Sequence, residues 1–237
     1  MKNKIGWCNL TFNPVWGCLN HCEYCYARKI AKRFGKYMRF IELPNCQYEH
    51  QAWELMGLED FKPTFLYSQF NKKFPKKPQR IFVGSMSEIA HWEKRWMEVI
   101  LGRVLCYPQH TFQFLTKSPE VYSKYDFPKN CWLGLTIADS KYFNFNDYQK
   151  FKISNPNNLK FVSYEPLLDK IFVNLEGIDW VILGAETGTR KGKVIPKREW
   201  IDDIISYCMR NDIPFYMKDN LELIHPCNVK LFPRERG

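Results

Sequence analysis

Six short apolar runs, spaced along the chain from about residue 80 onward, constrain the fold more than any other feature. They are "RIFVG" (80–84), "TFQFLT" (111–116), "CWLGLTI" (131–137), "LKFVSY" (159–164), "DWVILG" (179–184) and "IPFYMK" (213–218). Successive side chains of a strand point to opposite faces, so a run that is apolar throughout must be covered on both sides. Helix-type stretches fall between the runs. In "EIAHWEKRWMEVILGRVLCYPQ" (88–109), Trp92, Trp96, Val99, Ile100 and Arg103 recur at helical spacing, and Trp200, Ile201, Ile204, Ile205 and Cys208 repeat the pattern before the last run. Strand and helix in alternation make βα units and a parallel sheet.

A further strand near "IGWCNLTF" (5–12) brings the number to six or seven. The 237 residues fall short of a complete eightfold barrel, which needs roughly 250. The expected fold is α/β, a partial (β/α)6-type open barrel of parallel strands in one domain spanning 1–237. Residues 36–79 read as an insertion over one face, and 219–237 as a C-terminal tail. In such architectures the loops after the strands' carboxyl ends carry the chemistry.

With 45% hydrophobic and 16% aromatic residues the chain has material for a packed interior. Its first residues lack the apolar stretch of a secretory signal, and nothing later approaches the ~20 apolar residues of a membrane span. A cytoplasmic address and no membrane partner are expected. The nine cysteines are odd in number and follow no export signal, so reduced thiols are expected rather than a disulfide framework. A net charge of +10 favours an acidic partner such as a nucleic acid. Much of the excess sits in "NKKFPKKPQR" (71–80), which reads as a solvated, proline-broken loop.

Three of the cysteines crowd into "CLNHCEYC", as Cys18-x3-Cys22-x2-Cys25, where the first strand leads into the helix read over "CEYCYARKIAKRF". Three soft thiolates can hold three corners of an iron–sulfur cubane. A closed structural site needs a fourth cysteine at a matching spacing, and none lies nearby, which leaves one iron open. The competing reading is a Cys3His zinc site using Cys18, His21, Cys22 and Cys25. Zinc knuckles pair distant Cys-x2-Cys halves, whereas here every candidate shares one short loop, so His21 reads as a loop residue or an outer donor.

This spacing, with the aromatic Tyr24 before the third cysteine, resembles the defining motif of the radical S-adenosylmethionine superfamily. "FNPVWGC", "CYA", "RIFVGSMSE", "PQHTFQFLTKSPE", "WLGLTI", "FVSYEPLL", "IDWVILGAETG" and "IPFYMKD" further resemble an uncharacterised radical-SAM-like family common in phages, prophages and archaea. The chain departs from that family at Asn9, Phe12, Tyr164 and Ala185, where an acidic residue, a tryptophan, a cysteine and a second glycine are frequent. The resemblance implies a barrel of the radical-SAM type, a [4Fe–4S] cluster on Cys18, Cys22 and Cys25, and S-adenosylmethionine chelated by the open iron. It further implies reductive cleavage to a 5′-deoxyadenosyl radical that abstracts hydrogen from a substrate, with flavodoxin or ferredoxin as electron donor.

For the cofactor, the resemblance places Tyr24 against the adenine and the turn Gly84, Ser85, Met86 and Ser87 at the methionyl amino group, and Thr136, by its position at the end of the fourth strand, is the candidate for the ribose hydroxyls. Ser87 also reads as the cap of a helix starting near Glu88. Lys117, Glu165, Glu186 and Lys218 each follow a strand run directly, so four ionisable groups are expected at one mouth as catalytic candidates. Gly184 and Gly188 in "GAETG" let the backbone approach a ligand or serve a tight turn. Cys227, in the tail, is a candidate donor or ligand over the mouth, and the other scattered cysteines read as buried small hydrophobes. The substrate classes carried forward are a nucleic-acid base or nucleotide, a peptide or small metabolite, and, without catalysis, a zinc-stabilised nucleic-acid-binding module.

Overall fold

The computed structural model describes residues 5–41, 60–141, 143–171 and 174–234, with the side chains of 34–41 left aside. Residues 42–59, which belong to the expected insertion and include Cys46, lie outside the described residues. The chain divides into two compact units, Met1–Leu115 and Thr116–Gly237.

In the first unit, β1 (Leu10–Phe12) is followed by β2 (Val15–Trp16), the cysteine loop and helix α1 (Tyr26–Ile41). Then come β3 (Thr64–Phe65), the one-turn helix α2 (Tyr67–Phe70), β4 (Arg80–Val83), helix α3 (Lys94–Leu105) and β5 (Thr111–Thr116). β4 pairs in parallel with both β1 and β5, while β2 and β3 form a small antiparallel pair. Phe12, Val83 and Phe114 stand side by side across the three parallel strands. Phe74 inserts onto this face, with its ring edge-on to Phe12 at 5.0 Å, Tyr107 at 5.0 Å and Phe112 at 5.5 Å.

α3 buries Met97, Ile100, Leu101 and Val104, each contributing about 1.5–3 kcal/mol. The expected stripe is therefore corrected by one position: Val99 is 48% exposed, and Trp92, though buried, precedes the helix. Arg103, expected on the apolar stripe, lies with its guanidinium over the rings of Phe12, Phe70, Phe74 and Tyr107 at 5.0–5.8 Å. A planar delocalised cation can fill an aromatic box that an aliphatic chain would fill less completely.

In the second unit, β6 (Cys131–Thr136), α4 (Phe145–Ile153), β7 (Leu159–Tyr164), β8 (Trp180–Leu183), α5 (Arg198–Arg210) and β9 (Phe215–Met217) follow in βα order. The four strands are parallel, each paired with its neighbour in sequence. Asn144 caps α4 by accepting from the amides of Asn146 and Asp147. One face of these strands carries Tyr164, which lies near Tyr148 of α4 and Cys208 of α5. The register sets Thr136, Ser163, Ile182 and Tyr216 in a row on the opposite face.

That opposite face also carries an aromatic cluster, in which Trp180 meets Trp132, Phe161, Tyr216 and Phe232 at 5.5–6.4 Å. Phe232 arrives on the tail, which runs antiparallel to β9. Met217 donates to the Val229 carbonyl, Leu231 donates to the Phe215 carbonyl, and Trp180 Nε1 donates to the Leu231 carbonyl. The tail thus covers an edge that would otherwise present unpaired backbone groups. Among the described residues no helix is long and apolar enough to cross a membrane.

Candidate functional site

The cysteine loop begins at Gly17, whose φ of +107° is one that a side-chain-bearing residue rarely adopts. The carbonyl of Lys62 passes so near that a Cβ there would lie 1.9 Å from its oxygen. This close approach lets the loop thread between two segments. Gly17 N donates to the Met86 carbonyl at 3.0 Å and Cys18 N to the Phe61 carbonyl at 2.8 Å. Leu19 N donates to His91 Nδ1 at 3.2 Å, and Arg28 Nη2 donates back to the Cys18 carbonyl at 3.1 Å. The Arg28 guanidinium lies 4.9 Å from the centre of the Phe61 ring.

Within the loop the thiols already receive backbone donors: Asn20 N lies 3.4 Å from Cys18 Sγ, and Arg28 N lies 3.3 Å from Cys25 Sγ. His21 is exposed at the bend, with φ +51°. Burial pushes the Cys18 thiol up to about 11, partly offset by the Asn20 amide, with Glu88, Cys22 and Cys25 adding repulsion. A bound cation or cluster reverses that balance, because it favours the thiolate outright.

Among the described residues no three or more His, Cys, Asp or Glu side chains stand together as ready ligands for a metal ion. A zinc site draws all its donors to one point, about 2.3 Å from each sulfur, whereas a cubane takes one thiolate at each of three irons. The donor set fits the cubane chemically: three soft thiols on one short clamped loop, two of them already accepting N–H. Hydrogen bonds of that kind to cysteine sulfur tune an iron–sulfur cluster.

The turn after β4 forms the other half of the clamp. Gly84 has φ +77°, and its amide donates to the Phe12 carbonyl at 2.9 Å. Ser85 Oγ donates to Asn13 Oδ1, and the Ser85 carbonyl accepts from Tyr26 OH at 2.7 Å. With Met86 O accepting from Gly17, the turn's carbonyls are partly engaged, and each keeps a second lone pair for a ligand. Ser87 is not the helix cap that the sequence suggests. Its hydroxyl accepts from Trp92 Nε1 at 3.0 Å, and Glu88 caps the short turn Ile89–His91 by accepting from Ala90 N. Tyr24 is half-buried beside Cys25.

In the second unit Glu165, Gly184 and Lys218 lie two residues beyond Ser163, Ile182 and Tyr216, and so on the same face. Lys218 Nζ donates to Glu165 Oε1 across Gly184. A Cβ on Gly184 would stand 2.9 Å from Lys218 Cδ and 3.2 Å from Glu165 Cγ, so the glycine makes room for this ion pair. The structure therefore brings Glu165 and Lys218 together. Asn220 fixes the adjoining turn by pairing its amide with both the N–H and the carbonyl of Ala185. Ser163 Oγ is wholly buried and has no hydrogen-bond partner among the described residues. Thr136 is half-buried at the end of β6, and Lys117 is half-buried after β5.

Glu186 is fully buried and differently engaged. Arg190 grips its carboxylate with Nε at 2.8 Å and Nη2 at 2.9 Å, and Val194 N adds a third donor at 3.3 Å. The Arg190 hydrogen bonds hold its carboxyl below the usual range against the opposing effect of burial. Its observed work is to close the 186–194 loop.

Reading the sequence missed Arg28, Tyr26, His91 and Arg190. An arginine one turn after the last cysteine and the i, i+4 opposite charges of "ETGTR" were the available signals for Arg28 and Arg190. Among the scattered cysteines Cys8, Cys131 and Cys208 are buried, as expected, whereas Cys106 is exposed at the end of α3. Cys227 is exposed, with its amide donating to His225 Nδ1.

The class this defines is an α/β protein of parallel βα units, with a clamped three-thiol loop between its first strand and first helix. The chain belongs to the DUF5131 family, described as a protein of unknown function, whose model matches residues 2–228. No curated protein and no solved structure matches it.

Proposed function

We propose that the chain is a radical S-adenosylmethionine enzyme built on an open, partial (β/α)6-type barrel, acting on a nucleic-acid base or nucleotide. The observation that carries this reading is the Cys18–Cys22–Cys25 loop, clamped through Gly17, Cys18 and Leu19 and supplied with N–H donors to two of its sulfurs. When bound, a [4Fe–4S] cluster supplies the single electron that cleaves S-adenosylmethionine and so generates a hydrogen-abstracting 5′-deoxyadenosyl radical.

The chain's own residues do the rest. The amides of Asn20 and Arg28 offset negative charge on the sulfurs they meet, and Arg28 and His91 hold the loop's backbone in place. Tyr24 offers a ring for the adenine, and the 84–87 turn offers carbonyl lone pairs for an ammonium group. Glu165 and Lys218 hold a proton between them on a face that also carries the Thr136 and Ser163 hydroxyls, which suits them to exchange a proton with a bound substrate. The net charge of +10 supports a polyanionic substrate over a neutral metabolite.

The test is anaerobic reconstitution with iron and sulfide, reduction with dithionite in the presence of S-adenosylmethionine, and assay for 5′-deoxyadenosine. A brown protein that releases it is expected. Cys22→Ala should abolish both colour and release, while His21→Ala keeps both. A colourless protein holding one zinc would overturn the proposal in favour of a Cys3His binding module.

A further inference from the structure

The loop between α2 and β4 carries Lys72, Lys73, Lys76 and Lys77, all exposed. Not one Asp or Glu occurs from Lys62 to Ser87. Several surface lysines elsewhere in the described chain are countered, as in Lys94–Glu98, Lys150–Asp147, Lys170–Asp203 and Lys230–Asp219. These four have no such partner among the described residues. Like charges this close repel, and a surface evolved only for solubility intersperses both signs.

A solvated, floppy loop would spread that repulsion by moving, but this one is pinned. Phe74 sits midway between the two lysine pairs and is held edge-on among Phe12, Tyr107 and Phe112. On one side the Lys72 carbonyl accepts from Arg103, and on the other Gln79 N donates to His110 Nδ1 at 3.1 Å. Just before the loop, Tyr67 on α2 is 59% exposed, while its neighbour Phe70 packs inward on Phe65. Burial does not explain why position 67 is aromatic.

We infer that the 67–77 segment is a docking surface for single-stranded nucleic acid, with Lys72, Lys73, Lys76 and Lys77 meeting phosphates and Tyr67 stacking on a base. Fixed cations beside an exposed ring are what a sequence-tolerant single-strand site requires. Pinning the loop through Phe74 and Arg103 in advance removes ordering cost at binding. The surface deepens the substrate half of the proposed function and rests on it, but it does not depend on the chemistry of the cysteine loop.

The experiment is fluorescence anisotropy of a labelled, mixed-sequence single-stranded oligonucleotide with the full chain across a salt series. Variants compared are K72Q/K73Q/K76Q/K77Q, Tyr67→Ala, and a control of equal charge loss, K94Q/K150Q/K170Q/K197Q. Wild type should bind with affinity that falls steeply with salt. The loop variant should flatten the log–log salt slope by about 3, at roughly 0.7 for each phosphate no longer neutralised. Tyr67→Ala should weaken binding at least about fivefold, the low end for one stacked base. The control should bind as wild type does.

Equal losses in the loop variant and the control would overturn the assignment, as would preferential binding of phosphatidylserine vesicles over the oligonucleotide. Circular dichroism of the loop variant checks folding, which four exposed lysines should not affect. Unchanged 5′-deoxyadenosine release in that variant separates failure of this surface from failure of the cysteine-loop chemistry.

Discussion

Replacing Gly17 with alanine puts the clamp on the cysteine loop to a quantitative test. At φ +107° an L-residue incurs about 1–2 kcal/mol of backbone strain. The added Cβ would lie 1.9 Å from the Lys62 carbonyl oxygen, a clash that backbone cannot relieve by rotating a side chain. The 61–63 segment or the loop must retreat by about 1 Å, enough to break Cys18 N to Phe61 O and Gly17 N to Met86 O, each worth about 1 kcal/mol. The expected loss is roughly 3–5 kcal/mol. Gly177→Ala is the comparison, since its φ is +78° and nothing lies within 4 Å of the new Cβ. It should lose only the strain. Urea unfolding of both variants, read as a change in midpoint at constant slope, measures the difference. A Gly17→Ala protein no less stable than Gly177→Ala would refute the clamp, whatever the absolute values.

Gly102→Ala should stabilise by about 1 kcal/mol, because Gly102 is an exposed position inside α3 with open space around it, and a rise in the urea midpoint checks this. Glu186→Gln tests the Arg190 grip through pH. The folded carboxyl titrates below its ordinary 4.5, so its contribution is complete above that value and disappears as pH falls through the lowered folded pKa. The stability gap between wild type and Glu186→Gln should therefore be widest near neutrality and close in acid; a gap constant with pH contradicts the pairing. Phe232→Ala removes the tail's ring from Trp180 and Tyr216, each 5.5 Å away, and should cost about 1–3 kcal/mol in thermal or urea unfolding.

The strands were legible because each of the six runs is apolar on both faces and short. All six form strands within a residue or two of the expected limits, whereas α1 begins at Tyr26, after the motif and not inside it as expected, because residues 22–25 form a turn. The first strand proved shorter than expected, Leu10–Phe12: it ends at the expected residue, but residues 5–9 form a turn and bends, with Gly6 at φ +84°, before the strand begins. α4 was not marked out individually: in "FNDYQKFKI" only Tyr148 and Phe151 are buried, too few for a visible stripe. At the strand ends, position alone suggested four converging charges. Whether a strand-end carboxylate is available depends on which cation reaches it. Glu165 meets Lys218, 53 residues away in sequence, whereas Glu186 is claimed by Arg190 four residues on. The first pairing needs the register of β7, β8 and β9, which no local pattern reveals. The role of Gly17 was equally hidden, because the carbonyl that demands a glycine belongs to Lys62.

How the loop is held also decides what metal removal should do. A small zinc module takes its fold from the metal, since its chain has little else to organise it. Here Gly17, Cys18 and Leu19 are fixed by Met86, Phe61 and His91, none of which is a thiol, and Arg28 holds the Cys18 carbonyl from α1. Behind them Ala27, Ala31, Phe61 and Met86 form a buried cluster on which Cys18 and Cys25 also pack. The loop's conformation thus rests on contacts that survive without any bound group, and loading has only to bring sulfurs to a frame already built. Chelator-treated, metal-free protein should keep a cooperative thermal transition and the near-ultraviolet dichroism of its buried tryptophans, with loading adding stability by mass action alone. If the metal-free chain instead loses that dichroism while keeping its far-ultraviolet signal, the metal organises the unit, and the frame around the loop is a consequence of binding rather than its precondition.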